Sequence, residues 1–217
     1  MRTITIEGLK GTGKSTIIKS LSSFYHVNLL QKFTKGNNKI HPFAKEFIRK
    51  YNKKFKNIES TLAVNYYSNF FNNLELATNL NLTAPRIILL NRGLLSLPYF
   101  GYYGYSHNSE DLKFREYLKI ASELYDLAIC KYNTFGLESD FIILECCQET
   151  IKKRLEKREV KIVSDTFFLK NIEVYSNMKK YFEEQAIKKI KNTRFFYRNN
   201  ETIQDLVNIE TFAVDLI

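Results

Sequence analysis

A three-layer α/β sandwich, with helices on both faces of a five-stranded parallel sheet, is the fold class this sequence predicts. Three observations predict it. Apolar runs of strand length, such as Ile87-Ile88-Leu89-Leu90, lack strict alternation and so suit strands covered on both faces. Stretches with apolar residues at helical spacing separate these runs. A glycine-rich segment, IEGLKGTGKST from Ile6 to Thr16, joins the first strand-like run to the first helical stretch.

The elements follow in order. Arg2 to Glu7 alternates Thr and Ile and reads as a strand; Thr12 to Phe24 reads as a helix and His26 to Leu30 as a short second strand. Two helical stretches, 38–55 and 58–80, carry Phe43, Phe47 and Tyr51, then Leu62, Tyr66, Phe70 and Leu74, at helical spacing. After Ala84-Pro85 comes a buried strand, Arg86 to Leu90, ending on Asn91-Arg92-Gly93. A Tyr- and Gly-rich loop from Tyr99 to Asn108 precedes a helix from Glu110 to Cys130. Phe141 to Glu145 is a further buried strand, followed by a helix from Glu149 to Arg158. A charged stretch, Glu159 to Asp165, leads into one long helix reaching Lys191; a last strand, Arg194 to Arg198, and a closing helix from Ile203 complete the chain.

Length suits one domain, 1–217, with a substantial core. No repeat, low-complexity block or Gly/Ser linker interrupts it. The N-terminus shows neither the apolar stretch nor the cleavage site of a signal peptide, and no apolar run approaches membrane-spanning length. A soluble, cytoplasmic protein is therefore expected. Cys130, Cys146 and Cys147 form no metal-ligand spacing and read as free thiols. The net charge of +10 is spread along the chain without a compact basic arm, so it suits a polyanionic small ligand better than nucleic acid.

The glycine-rich segment carries the chemistry. Gly8, four residues, then Gly13-Lys14-Ser15 is the spacing of a phosphate-binding loop between strand and helix. Gly8, Gly11 and Gly13 let the backbone curl so that N–H groups, with those of Thr12 and Thr16, face an anion. Lys14 adds a positive charge near the outer phosphates, Ser15 offers a hydroxyl to Mg²⁺, and the following helix contributes its positive end. ATP and Mg²⁺ are the expected cofactors. No Asn-Lys-x-Asp guanine signature is present.

In a parallel sheet the ligand-binding residues gather after the strands. Arg92 presents a rigid fork suited to phosphate. Asn91 and Glu145 end two strands and are candidate metal-holding groups beside Ser15; Glu7, ending the first strand, is an alternative source of negative charge. Arg154 and Arg158, four apart on one helix face, open a lid at about 154–166 that neutralises the transferring phosphoryl group. Tyr99 begins a run of five aromatics in nine residues, and Phe70 or Phe71 is a candidate opposing wall for a flat base.

Along nearly its whole length the sequence resembles the thymidylate kinase family and, more loosely, the deoxynucleoside kinases. TIEGLKGTGKST resembles the family's loop. HPFAKEFIRK matches the spacing of a family helix with Glu46 and Arg49 in register. IILLNRGLLS resembles the Asp-Arg segment, putting Arg92 on the family's substrate-phosphate arginine and Ser96 on its serine. GLESDFIILE, ETIKKRLEKR, KKYFEEQA and RFFYRNNETIQDLV resemble the later strand, lid helix and closing elements, in the same order. The resemblance implies a P-loop kinase fold, transfer from ATP to a nucleoside monophosphate such as dTMP, and pairing into homodimers. Four departures mark a divergent member. Lys10 stands where the family has a carboxylate and Asn91 where it has Asp. FTKGN offers Lys35 in place of an arginine, and NYYSN lacks the family's arginine.

Phosphoryl transfer to a sugar hydroxyl benefits from a carboxylate base, whereas a phosphate acceptor is already ionised. From Leu29 to Lys45 there is no Asp or Glu but there are Lys32, Lys35, Lys39 and Lys45. A nucleoside monophosphate is the expected acceptor. A deoxynucleoside or other hydroxyl acceptor, and a non-catalytic nucleotide-binding module, are the alternatives.

Overall fold

β1 (Arg2–Gly8) is the central strand, and its residues explain why. Ile4 and Ile6 face one side of the sheet and Thr3, Thr5 and Glu7 the other, all of them buried. The computed structural model describes residues 1–24, 28–30, 41–51, 64–79, 87–99, 101–102, 114–158 and 163–216. Within them β1 is followed by α1 (Lys14–Phe24), β2 (Asn28–Leu30), α2 (Pro42–Tyr51), α3 (Val64–Asn79) and β3 (Ile87–Asn91). Then come a 3-10 turn (Leu94–Ser96), α4 (Phe114–Asn133), β4 (Glu138–Glu145), α5 (Gln148–Glu156), α6 (Val163–Lys170), α7 (Ile172–Lys189), β5 (Thr193–Asn199) and α8 (Ile203–Leu216).

The five strands are parallel in the order β2-β3-β1-β4-β5. On one face Ile4, Ile6, Leu89, Ile142 and Leu144 pack against Ile17, Ile18 and Leu21 of α1 and Ile209, Ala213 and Leu216 of α8. The larger core lies on the other face. There Ile88, Leu90, Phe141 and Ile143 meet Phe70, Phe71 and Leu74 of α3, Tyr117 and Tyr125 of α4, and Met178 and Phe182 of α7. Burial of these rings and aliphatic chains is the main force holding the three layers together. Toward the amino-terminal end of the strands, away from the loop, buried Asp140 is bracketed by Arg2 (2.6 Å) and Arg194 (2.7 Å).

Two elements differ from the sequence reading. The long helix expected to run to Lys191 is two helices, broken at Asn171, where φ is −121° and ψ is 25°. There the Asn171 side chain donates to the Phe167 carbonyl (2.9 Å), the local competition with the helix ladder that asparagine favours. The expected loop from Tyr99 begins as helix, since Leu97–Tyr99, Gly101 and Tyr102 are helical. Tyr102 packs edge-on against Tyr117 and Phe114 of α4, which draws this segment into the core. β4 also starts three residues earlier than Phe141.

Candidate functional site

The order β3-β1-β4 puts the carboxyl end of β1 between those of its neighbours, the position where ligands bind in such sheets. The chain leaves β1 through three glycines with positive φ: Gly8 (136°), Gly11 (87°) and Gly13 (91°). At Gly13 a Cβ would stand 2.3 Å from the Asn200 amide, so only glycine fits both the dihedral and the space. The loop is braced from inside: the Thr12 hydroxyl donates to the Leu9 carbonyl (2.9 Å), and the Lys14 ammonium donates to the same carbonyl and to Thr12 Oγ1 (3.1 Å). Burial pushes the Lys14 ammonium well below the usual lysine range; Arg92 adds to this and Glu7 opposes it. An anion entering the loop would oppose that shift.

A cavity of about 670 Å³ opens over the loop, lined by Gly11, Gly13, Lys14, Ser15 and Thr16. Among the described residues Lys10, Arg92, Arg154 and Arg158 bring four further cations to it, against one carboxylate, Glu201. Such a lining recruits a polyanion. Gly8 and Thr12, expected as nucleotide-binding residues, shape the loop from beneath instead: Gly8 offers its carbonyl to Arg92, and Thr12 is buried.

Arg92 is held in an unusual conformation. Its φ is 70°, a left-handed value that costs a non-glycine residue about 1 kcal/mol. The Arg92 amide donates to the Ile6 carbonyl (3.1 Å), and its guanidinium donates to the Gly8 carbonyl (3.2 Å) and Ser96 Oγ (3.1 Å). Ser96 donates in turn to Glu7, which also accepts from the Gly93 amide (2.6 Å). Burial raises the Glu7 carboxyl above its ordinary value, opposed by the Ser96 bond, Arg92, the Gly93 amide and Lys14. Glu7 is thus the buried floor beneath Arg92.

Arg154 reaches across the mouth of the loop, donating to the Glu201 carbonyl (3.2 Å) and contacting Cys146 Sγ (3.2 Å). Arg158 lies 3.4 Å from both oxygens of Asp165, at the start of α6. The same carboxylate forms an ion pair with Lys10, whose ammonium also donates to Ser164 Oγ (2.8 Å). The middle of the expected lid, 159–162, falls outside the described residues.

A second cavity of about 310 Å³ adjoins the first, lined by Leu9, Lys10, Tyr66, Arg92, Tyr99, Ser164, Phe168 and Tyr175. Lys10, Tyr66 and Arg92 line both spaces and so mark their junction. Tyr99 lines this cavity, and Phe70 does not. Phe70 is 2% exposed and stacked on Tyr132, because its face of α3 turns to the core, and Tyr66, one helical turn earlier, reaches the cavity instead. Arg49 is exposed on α2 and lines none of these cavities, while Lys35 lies outside the described residues.

The metal-holding candidates divide. Ser15 and Asn91 line the large cavity. Glu145 lines a third cavity of about 470 Å³ behind the loop and faces Lys179 at 3.5 Å. Strand alternation explains this: Glu145 shares its side of β4 with Phe141 and Ile143, toward α7. Among the described residues no group of three or more His, Cys, Asp or Glu gathers to hold a metal. The set that remains, a serine hydroxyl and an amide carbonyl, fits a Mg²⁺ held chiefly by phosphate oxygens and water.

Sequence reasoning missed Asn200, at the carboxyl end of β5. Its side chain donates to the Thr12 carbonyl (2.7 Å), its amide donates to the Glu145 carbonyl (2.9 Å), and its carbonyl accepts from Cys146 Sγ (2.7 Å). Asn200 locks the loop to β4, and with Glu201, Thr202 and Leu206 it forms the far wall of the large cavity. Its place just after a strand was the one signal available.

No family model matches the chain, and no curated protein matches it in sequence. Solved structures do. Deoxyadenosine kinase from M. mycoides with bound dATP is 21% identical with a TM-score of 0.61, the match covering 98% of this chain and 99% of that one. The same enzyme with dCMP and dCDP bound gives 21% and 0.59 over 99% and 100%. Thymidylate kinase from Candida albicans gives 18% and 0.54, covering 100% of this chain and 90% of that one. These likenesses show the fold alone: the chain has the three-layer α/β fold of the deoxyadenosine kinase and thymidylate kinase structures. No helix among the described residues is long and apolar enough to cross a membrane.

Proposed function

We propose that this protein transfers the γ-phosphoryl group of ATP, with Mg²⁺, to a nucleoside monophosphate, dTMP or a related deoxynucleotide. One observation carries the reading: a cation-lined cavity over a phosphate loop meets a smaller, ring-walled cavity at a junction flanked by Lys10 and Arg92. The large cavity takes the triphosphate, with Lys14 and the loop on its outer phosphates and Arg154 over its mouth. The small cavity takes the acceptor, its base against Tyr66, Tyr99, Phe168 and Tyr175. The junction is then where the phosphoryl group passes.

Transfer of this kind needs positioning and charge neutralisation more than covalent help. Arg92, fixed by the Gly8 carbonyl and Ser96, holds an acceptor phosphate in line, and Arg158 and Lys14 offset charge on the group in transit. Mg²⁺ bound with ATP would rest on Ser15 and Asn91 and supply the remaining neutralisation. The described segment 154–158 and α6 make up the lid's two ends.

A hydroxyl acceptor would need a free carboxylate at the small cavity. The buried acids nearest the junction are committed: Asp165 to Lys10 and Arg158, Glu7 to Gly93 and Ser96. Among the described residues no Asp or Glu lines that cavity. A panel of deoxynucleosides and their 5′-monophosphates, incubated with γ-labelled ATP, tests the choice. Label is expected in the diphosphates; label in monophosphates made from nucleosides would move the protein to the hydroxyl kinases, and none in either would leave a nucleotide-binding module.

A further inference from the structure

Resting on the phosphate-acceptor reading above, we propose that Lys10 binds the acceptor's anionic group and that Asp165 is the positioning residue that holds the Lys10 ammonium at the small cavity. The class of ligand is a flat ring compound carrying a phosphate monoester.

The geometry separates the two cations on Asp165 by side. Lys10 donates to Ser164, and Ser164 lines the small cavity but not the large one. Arg158 lines the large cavity but not the small one. Asp165, with its side chain 4% exposed, pairs with both, so one buried carboxylate holds Arg158 at the large cavity and Lys10 at the junction, where Ser164 draws its ammonium toward the small one. Its α6 neighbour Phe168 belongs to the ring wall of the small cavity. A one-residue shift of α6 would therefore disturb ring wall and ammonium together.

Charge in the cluster is unbalanced toward the positive. Burial lowers the Lys10 ammonium from its usual range; Asp165 opposes this, while Arg158 and Arg92 add to it. Three cations crowding two committed carboxylates are relieved by an anion at the junction, and a neutral sugar hydroxyl offers no such relief. Lys10 thereby favours a phosphate over a hydroxyl in the same pocket. Asp165 fixes where the ammonium sits, because a lysine stem otherwise samples many rotamers.

Equilibrium binding of thymidine and of thymidine 5′-monophosphate, each measured beside a non-hydrolysable ATP analogue, tests the inference on the full chain. The unsubstituted protein should bind the monophosphate at least about tenfold tighter than the nucleoside. Lys10→Met should erase that preference and weaken monophosphate binding by a clearly larger factor than ATP-analogue binding, and Lys10→Arg should restore part of it. Asp165→Asn should weaken monophosphate binding by about three- to tenfold and leave the nucleoside unaffected. Melting curves verify folding, and the pair Lys10→Met with Asp165→Leu replaces any single variant that unfolds. The inference falls if the preference is missing from the outset or survives Lys10→Met, or if analogue affinity drops as far as monophosphate affinity. Lys10-dependent preference without labelled diphosphate in the transfer panel would sink the proposed activity and leave this assignment standing.

Discussion

The two sides of the phosphate loop share one stretch of chain yet carry opposite electrostatic designs. In front, Lys10, Lys14, Arg92, Arg154 and Arg158 face about 670 Å³ with one acidic side chain among the lining. Behind, Leu9 and Thr12 close a cavity of about 470 Å³ where Lys179 sits between Glu183 (3.0 Å) and Glu145 (3.5 Å). Behind the loop the Lys179 ammonium is already met by two carboxylates of the chain itself. In front the charge is left for a ligand to neutralise. The difference teaches that clustered charge is not by itself a site; the sign left over after internal pairing is what marks one.

Removing the central front charge should have the largest effect. Lys14→Ala is expected to cut transfer by at least about a hundredfold and weaken ATP binding, since the loop loses the cation that the proposed activity puts on the outer phosphates. The fold should not suffer, because a buried ammonium held below its usual range is costly to the empty protein. ATP titration and thermal melting on one preparation check both halves. Retained affinity would mean the cations in front are as structural as those behind.

Arg158→Ala is the next test. Its guanidinium is 40% exposed, so little folding energy rests on it. Turnover should fall by about tenfold or more while the ATP dissociation constant moves by less than about threefold. An unchanged rate would remove Arg158 from the mechanism and return the lid's arginine to ordinary surface charge.

Asn200 belongs to both sides, and Asn200→Ala should show it. The Thr12 carbonyl loses its buried donor, at roughly 1–3 kcal/mol of stability, and ATP affinity should drop a few-fold as Gly13 loosens. Denaturant midpoints and ATP titration together read the two effects. Loss of affinity without loss of stability would place Asn200 on the ligand rather than on the loop.

What the sequence made visible follows the same division. Glycine spacing announced the loop, since three positive-φ positions in eight residues leave few other folds open. Apolar runs announced the strands, whose order then delivered Arg92 to the site. Pairings between distant elements were hidden: Lys10 with Asp165 spans the chain from loop to α6, and Asn200 with Thr12 joins its two ends. No local spacing encodes such contacts. Glu145 and Phe70 were misplaced for a simpler reason. Each belongs to a periodic pattern, every second residue on β4 and every third or fourth on α3, that already pointed it at the α7 side or the core.

Behind the loop the expected effects are on stability alone, and pH reveals them. Burial raises the Glu183 carboxyl to about 7; Lys179 opposes the shift, and Glu7 and Glu145 add to it. A carboxyl raised on folding lends stability that is fully present below its unfolded value and fades as pH climbs through about 7. Above that pH the folded protein carries a buried charge that Glu183→Gln would not. The variant should therefore match the parent near about pH 4 and exceed it near about pH 8, by on the order of 2 kcal/mol, in urea midpoints. Transfer at the higher pH should stay within about twofold of the parent, because Glu183 faces α7's side of the loop and not the ligand. A rate that followed Glu183's titration would join the two cavities into one machine and overturn the contrast between them.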